Sequence, residues 1–308
     1  EMKLLFVQIA RNRRNTWIAL AVYICILIAV TLVIGMSSPQ LGKWIAIGSI
    51  IYFVWGFIRM GWLSYRGLAG YELTTENAPE IIELVEGLCL AAGIPQPKVL
   101  FDPDPLPNAY ALGWDPKHAS ITLTKGLLEI MDKRELEGVI AHELAHIRNY
   151  DTRLTITTNL ILNLIVGISL GGLLIGAGMV VNKSRGLIAL VFRVLGLGLV
   201  ILFGLITLVA IPLGKIFYFM ISRQREYLAD AGSAELTRNP DGLISALSKL
   251  KDPALAMPPS HNMVLNAAYI NGPKMNSLLE LFSDHPTLDK RILKLQEAFG
   301  VNNGKQQG

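Results

Sequence analysis

The strongest chemical signal in the sequence is the segment His142-Glu143-Leu144-Ala145-His146, in which two histidines stand four residues apart. On a helix this spacing places both imidazoles on one face, where they can converge on a single Zn2+ ion. Glu143 points about 100° away around the helix, so its carboxylate can reach a water bound to the metal without being a ligand. The metal lowers the pKa of that water toward ~7, and Glu143 can accept its proton. The segment therefore indicates metal-assisted hydrolysis; the alternative is an ordinary helix with two unrelated histidines.

A catalytic zinc ion needs a third protein ligand and one open position. Position 152 is Thr, so the extended zinc motif with a third nearby histidine (the metzincin arrangement) is excluded. Glu226 and Asp230 stand one helical turn apart, and Glu226 could ligate while Asp230 accepts the free N–H of a ligating imidazole. Spacing alone leaves this choice open, because a basic helix after an apolar run also carries solvated glutamates. The other candidates are further carboxylates and the histidines His118, His261 and His285.

The composition places this helix in a protein rich in apolar residues. The chain has 308 residues, of which 52% are hydrophobic and 17% charged, and its mean hydropathy is +0.43. A soluble domain carries about 25% charged residues, so a disordered chain, a collagen-like repeat and a purely soluble enzyme are excluded. The net charge of +4 is modest, and basic residues stand beside apolar runs, which favours lipid head groups over nucleic acid as partners. The glycines of a phosphate-binding loop are missing near Lys183, so no ATP site is expected.

Four apolar runs are predicted to be transmembrane helices, because about 20 apolar residues cross about 30 Å of hydrocarbon. For any one run the alternative is a buried core helix, and this applies most to the second and shortest run. The runs cover about 16–36, 44–62, 154–182 and 190–214.

Basic residues give a conflicting indication of orientation. Arg13 and Arg14 precede the first run, so the positive-inside rule places the segment after the second run in the cytoplasm. With four full crossings the basic loop containing Lys183 and Arg185 would then lie outside. Either the first pair of helices sets the orientation, or the last pair is a hairpin that does not cross completely.

The polar parts of the chain predict an α+β, mostly helical catalytic domain with a small β-sheet. Asn77 is expected to cap a helix that stops at Gly93. Asp132 and Glu135 form the pattern of a capping box at the start of the metal-ligand helix. Short strands are predicted at 98–101, 108–112 and 119–124, arranged as a small meander.

The predicted organisation alternates membrane and catalytic regions. The membrane regions cover 1–66 and 154–214, with two apolar helices in each. The catalytic domain is divided between 67–153, which holds the metal-ligand helix at about 133–150, and 215–308, which holds the candidate third ligand.

Three motifs together resemble the HtpX family of membrane zinc proteases, which is related to the type I CAAX prenyl proteases. The first is the histidine pair around Glu143, the second is Arg225-Glu226-Tyr227-Leu228-Ala229-Asp230, and the third begins Ser283-Asp284-His285-Pro286. The order of elements is similar as well. The resemblance implies a zincin-type (gluzincin) fold with one Zn2+ per subunit, held by His142, His146 and Glu226. It also implies that Asp230 binds a zinc histidine.

The same resemblance extends to further positions. Asn108, Ala109 and Tyr110 are similar to a family strand that pairs with extended substrate beside the zinc; a plain core strand is the alternative. His285 is similar to a histidine that stabilises the developing oxyanion, and the alternative is a helix-capping role. Arg291 is expected to be structural, bonding carboxylates or carbonyls near the His-Pro segment. Asn149 and Asp151, just past the metal-ligand helix, are expected either to contact the metal ligands or to cap a helix.

The sequence therefore predicts a multi-pass zinc endopeptidase of the inner cell membrane whose catalytic domain faces the cytoplasm. The resemblance implies cleavage of misfolded or damaged membrane proteins, in quality control and stress response. Expected partners are unfolded or membrane-protein substrates and the lipid bilayer, with the oligomeric state left open. A prenyl-specific protease would need an enclosed chamber that four spans look too few to build. A zinc-binding scaffold without turnover would have no need of Glu143, and a transporter is disfavoured because the apolar runs hold few ionisable groups.

Overall fold

The structure is a computed structural model that describes residues 39–66, 71–183, 185–252, 254 and 286–300. It also describes the single positions 14, 17, 18, 21, 24, 25, 28 and 32. Most of the first predicted apolar run, together with His261 and His285, lies outside the described residues, so the predictions for them stay predictions.

The described elements are mostly helical, as predicted. The helices are α1 Pro39–Arg66, α2 Pro79–Ala92, α3 Lys125–Ile130, α4 Lys133–Asn149, α5 Asp151–Val181, α6 Leu187–Leu205, α7 Ile211–Thr237, α8 Pro240–Lys249 and α9 Leu288–Phe299. The strands are β1 Tyr71–Glu72, β2 Lys98–Asp102, β3 Ala109–Asp115 and β4 His118–Thr124.

The strands form one sheet in the order β1-β2-β4-β3. Strands β3 and β4 form an antiparallel hairpin, whereas β2 runs parallel to β4. The predicted meander is therefore wrong, because a meander would pair β2 with β3. The connection at 103–108 packs against the start of α3, where a Cβ on Gly126 would lie 2.0 Å from the carbonyl oxygen of Pro105. This connection carries the chain across β4 and leaves β3 at the edge of the sheet.

The main hydrophobic core of the described residues lies between this sheet and helices α2, α4 and α8. Its fully buried members include Val85, Ile121, Ile140 and Leu247, one from each of these elements. Helix α4 therefore packs against the sheet on one side and against α8 on another. These apolar contacts fix the orientation of the rest of its surface.

Helix α2 ends as predicted but does not begin as predicted. Gly93 ends it with φ +67°, a conformation that glycine adopts easily. Asn77 is not its cap: the Oδ1 of Asn77 accepts a hydrogen bond from the N–H of Thr74 at 2.8 Å, which closes the preceding turn. Pro79 opens the helix instead, since a proline at the first position has no N–H that needs a partner.

The metal-ligand helix α4 begins with the predicted capping box. The Oδ1 of Asp132 accepts from the N–H of Glu135 at 2.9 Å, and the Oε2 of Glu135 accepts from the N–H of Asp132 at 2.8 Å. The helix ends at Tyr150, which has a left-handed φ of 60°. Helix α5 starts at the next residue, so a single residue separates the metal-ligand helix from an apolar one.

Within the described residues, two helical stretches are long and apolar enough to cross a bilayer: Asp151–Val181 and Leu187–Val209. They match the third and fourth predicted runs, and the second predicted run lies within α1. The two stretches pack closely, because a Cβ on Gly196 would lie 2.7 Å from the carbonyl oxygen of Gly176. A full set of four crossings stays a prediction.

The second apolar stretch is continuous with the helix that follows it. A π-helical segment, Ile206–Ala210, joins α6 to α7 without a break. Pro212 follows it, and the looser π turn accommodates a residue that has no N–H to donate. Helix α7 thus continues the apolar stretch into the catalytic domain and carries Glu226 there.

Candidate metal centre

Helix α4 places its two histidines at the buried centre of the catalytic domain. His142 and Glu143 are buried, and His146 is partly buried. The Nε2 atoms of the two imidazoles lie 3.1 Å apart. Both imidazoles therefore point to one place, as the four-residue spacing predicts.

Helix α7 brings its carboxylates to the same place because it crosses α4 at very short range. A Cβ on Gly232 would lie 2.9 Å from the Cβ of Ala145, so only glycine permits this approach. The hydroxyl of Ser233 donates to the carbonyl oxygen of Gly138 at 2.7 Å and fixes the crossing. About two turns earlier on α7, the buried side chain of Glu226 faces the histidines.

The three expected ligands meet with spacings that suit a tetrahedral zinc ion. Glu226 Oε2 lies 3.7 Å from the Nε2 of His142, and Glu226 Oε1 lies 3.4 Å from the Nε2 of His146. Two atoms bonded to one zinc ion at about 2.05 Å and a tetrahedral angle lie about 3.3 Å apart. Among the described residues, His142, His146 and Glu226 form a metal-ligating group with all candidate ligand atoms within 4.8 Å.

The other nitrogen of each imidazole contacts a carboxylate. The Nδ1 of His142 lies 3.1 Å from Asp230 Oδ1, and the Nδ1 of His146 lies 2.8 Å from Asp151 Oδ2. A carboxylate that accepts from Nδ1–H leaves the lone pair on Nε2, which is the form a metal requires. The sequence predicted the contact of Asp230, and for Asp151 it left open a contact with a metal ligand or a helix cap.

Arg291 on α9 contacts two carboxylates of α7 at the site. Its Nη2 and Nε donate to Asp230 at 2.6 and 3.0 Å, and its Nη1 lies 3.3 Å from Glu226 Oε2. The predicted structural role is consistent with the contact to Asp230. The contact with Glu226 was missed, because the sequence does not show which carboxylates the His-Pro segment reaches.

Glu143 differs from the other carboxylates in its hydrogen bonding. Neither of its buried oxygens accepts a hydrogen bond from the part of the chain that the structure describes. Burial raises the pKa of Glu143, although the imidazoles of His142 and His146 oppose this shift. A buried carboxylate that can take up a proton beside two imidazoles fits the function of a general base.

The charges at the centre favour a bound cation. Four carboxylates, those of Glu143, Asp151, Glu226 and Asp230, are buried together, and Arg291 is the buried cation in contact with two of them. Burial would lower the pKa of His146, yet the carboxylates of Asp151 and Glu226 raise it to about 10. These carboxylates therefore stabilise positive charge at the Nε2 position, which a divalent metal can provide in place of a proton.

The remaining predicted site residues lie on strands or outside the described ranges. Asn108, Ala109 and Tyr110 are buried at the start of β3, and β3 packs against α4. Ala109 and Tyr110 belong to the edge strand, as a substrate-pairing strand requires, while their contact with substrate stays a prediction. His118 bonds Asp115 at the far end of the hairpin and is not a ligand of this centre.

Ligands on two helices, beside a buried carboxylate that accepts no hydrogen bond from the described residues, are the arrangement found in metalloproteases. Comparison with known proteins gives the family: the profile of Peptidase family M48 matches residues 75–299, and the chain belongs to that family. Relatives named protease HtpX homolog confirm the resemblance to the HtpX proteases. With its two apolar helical stretches, the chain is a membrane-associated metalloprotease.

Relatives match the chain over nearly its whole length. A protease HtpX homolog of Streptococcus uberis is 39% identical over 313 residues, which cover 95% of this chain and 99% of the relative. A protease HtpX homolog of Dictyoglomus thermophilum is 37% identical over 299 residues, covering 94% and 93%. The crystal structure of S. mikatae Ste24p aligns with a TM-score of 0.51 and 19% identity over 94% of this chain and 66% of Ste24p, which shows a shared fold.

Proposed function

We propose that the chain is a zinc endopeptidase of the gluzincin type, in which His142, His146 and Glu226 hold one Zn2+. The observation that carries the proposal is the convergence of these three side chains at 3.1, 3.4 and 3.7 Å. Zinc, when bound, lowers the pKa of a coordinated water and polarises the carbonyl of the scissile peptide.

The residues of the chain account for the rest of the chemistry. Glu143 accepts a proton from the attacking water and later gives it to the leaving amine, and its raised pKa suits both transfers. Asp230 keeps the imidazole of His142 in the orientation that exposes Nε2. Asn108 and Tyr110 would align an extended substrate along β3, and His285 would help to stabilise the oxyanion.

The substrates proposed are unfolded or loosely packed segments of membrane proteins, because an edge strand binds only an extended chain. Cleavage of such segments would serve membrane-protein quality control under stress. The catalytic domain is proposed to face the cytoplasm, with several helices crossing the inner membrane. Single cysteines at Lys183 and Glu83, introduced after replacing Cys25 and Cys89, would show by membrane-impermeant labelling on which side each lies.

The decisive experiment combines zinc content with proteolysis in detergent solution. The parent is expected to bind one zinc ion per chain and to cleave casein. Glu143→Gln should keep the zinc and lose at least about 100-fold in rate, as expected for a lost general base. Glu226→Gln should lose both zinc and activity, while Glu83→Gln, on an exposed face of α2, serves as control.

Other outcomes would favour the alternatives. Zinc binding without cleavage of any peptide by the parent would support a scaffold. Cleavage restricted to prenylated peptides would support a prenyl protease instead. Equal cleavage by the parent and Glu143→Gln would remove Glu143 from its proposed role.

A further inference from the structure

Asp151 connects the metal centre to the first of the two apolar helices. It is the first residue of α5, and its side chain is buried. Its Oδ2 accepts a hydrogen bond from the Nδ1 of His146 at 2.8 Å. The residue with which an apolar helix begins therefore contacts a side chain that the proposed function assigns to zinc.

The backbone carbonyl of Asp151 is bound by two further side chains. Its carbonyl oxygen accepts from the Nη1 of Arg225 at 2.8 Å and from the hydroxyl of Thr155 at 3.0 Å. Arg225 also donates to the Thr155 hydroxyl. Arg225 is buried and immediately precedes Glu226 on α7. The residue next to one proposed ligand, Glu226, therefore binds Asp151, which contacts another proposed ligand, His146.

We propose that Asp151 is a positioning residue for the metal centre. Its carboxylate fixes the rotation of the His146 ring, and Arg225 fixes Asp151 relative to the helix that carries Glu226. The inference rests on the proposed function, because it assumes that His146 and Glu226 bind zinc. The alternative role for Asp151 is an acidic residue in the first turn of α5, which stabilises the helix through its dipole alone.

Zinc affinity separates these two roles without any proteolysis assay. The dissociation constant for zinc is measured by competition with a chelator on full-length protein in detergent. Asp151→Ala is expected to weaken zinc binding about 10–100-fold, the usual effect of removing a partner of a ligating histidine. Asp151→Asn keeps an oxygen that can accept from Nδ1–H, so it should lose less. The matched control is Asp241→Ala, which removes an exposed acidic residue from the first turn of α8.

A second readout reports on geometry directly. The absorption spectrum of the Co2+-loaded protein should change in Asp151→Ala and stay unchanged in Asp241→Ala. Arg225→Gln should also weaken zinc binding, and its effect should be less than additive with that of Asp151→Ala because both act on one arrangement.

The inference is overturned if Asp151→Ala and Asp151→Asn keep the parent's zinc affinity and cobalt spectrum while only the melting temperature of the zinc-free protein falls. Additive effects of Arg225→Gln and Asp151→Ala would overturn the link through Arg225. A parent that binds zinc but cleaves nothing would refute the proposed function and leave this inference standing, so the two failures are distinguishable.

Discussion

Arg291 and Asp230 form a buried two-pronged ion pair, in which Nη2 and Nε of the guanidinium donate to the two carboxylate oxygens at 2.6 and 3.0 Å. The pair joins α9 to α7 across the metal centre. The carboxylate of Asp230 also contacts the Nδ1 of His142, so the guanidinium of Arg291 fixes the position of the carboxylate that this imidazole contacts. Because of Arg291, the pKa of Asp230 is lowered although burial alone would raise it.

Replacing Arg291 should therefore destabilise the catalytic domain strongly. Arg291→Ala leaves the buried carboxylates of Asp230 and Glu226 without their cation, and such a loss costs about 3–5 kcal/mol. The measurement is the free energy of unfolding of zinc-free protein in urea, with Glu297→Ala on the exposed face of α9 as control. A decrease below about 1 kcal/mol would show that the pair contributes little.

Glu135 should make stability depend on pH outside the metal centre. Burial opposes its ionisation, but the hydrogen bonds from Lys249 at 2.5 Å and Ser245 at 2.6 Å outweigh this, and its pKa is lowered from the ordinary value. Because the folded pKa is below the unfolded one, the contribution to stability is complete above the unfolded pKa of about 4.3. It is lost as the pH falls through the lower, folded pKa.

Melting temperatures of the zinc-free protein measured below about pH 5 test this expectation. Glu135→Gln should be less stable than the parent at neutral pH, and the difference should shrink as the pH falls. Glu129→Gln, which removes an exposed carboxylate paired with Lys125, should show neither effect. A difference between parent and Glu135→Gln that is constant with pH would contradict the assignment.

The close contact of α5 and α6 should tolerate no side chain at Gly196. A Cβ there would lie 2.7 Å from the carbonyl oxygen of Gly176 and 2.7 Å from the Cβ of Met179, so Gly196→Ala should separate the helices and lower the melting temperature in detergent. Gly198→Ala is the matched control, because its added Cβ meets no atom within 4 Å. Equal melting temperatures for the two variants would mean that the helices do not pack this way.

Asn108 tests the proposed substrate strand. The residue is fully buried, and its N–H donates to the Thr124 hydroxyl at 2.7 Å, so its position before β3 is fixed. Asn108→Ala should lower kcat/KM for casein about 10-fold or more, as a lost positioning contact does, while zinc content stays the same. The exposed Asn77→Ala on the β1–α2 connection is the control. Unchanged kinetics would make β3 a plain core strand.

Local features of the site were predictable, and distant pairings were not. The metal-ligand helix follows from its capping box and from two histidines one turn apart, both of which are properties of a few neighbouring residues. Glu226 could be predicted as the third ligand only from the family resemblance. An apolar hairpin separates it from His146, and spacing along the sequence does not show which carboxylate folds back to the histidines. The parallel pairing of β2 with β4 depends on how the connection at 103–108 packs, which local propensity does not encode.

For Asp151 the sequence left two roles open, a contact with a metal ligand or a helix cap, for a related reason. An aspartate at the start of a helix has a sufficient local explanation, so its sequence position gives no sign that an imidazole needs it. Only the left-handed turn at Tyr150 brings Asp151 back toward His146.

The single residue between α4 and α5 has a consequence for how the enzyme finds its targets. With α5 embedded in lipid and membrane proteins as substrates, as proposed, the metal centre would stay at the bilayer surface, and enzyme and substrate would meet by lateral diffusion in a plane. Turnover of such targets then depends on the number of molecules per area of membrane rather than on their concentration in bulk solution.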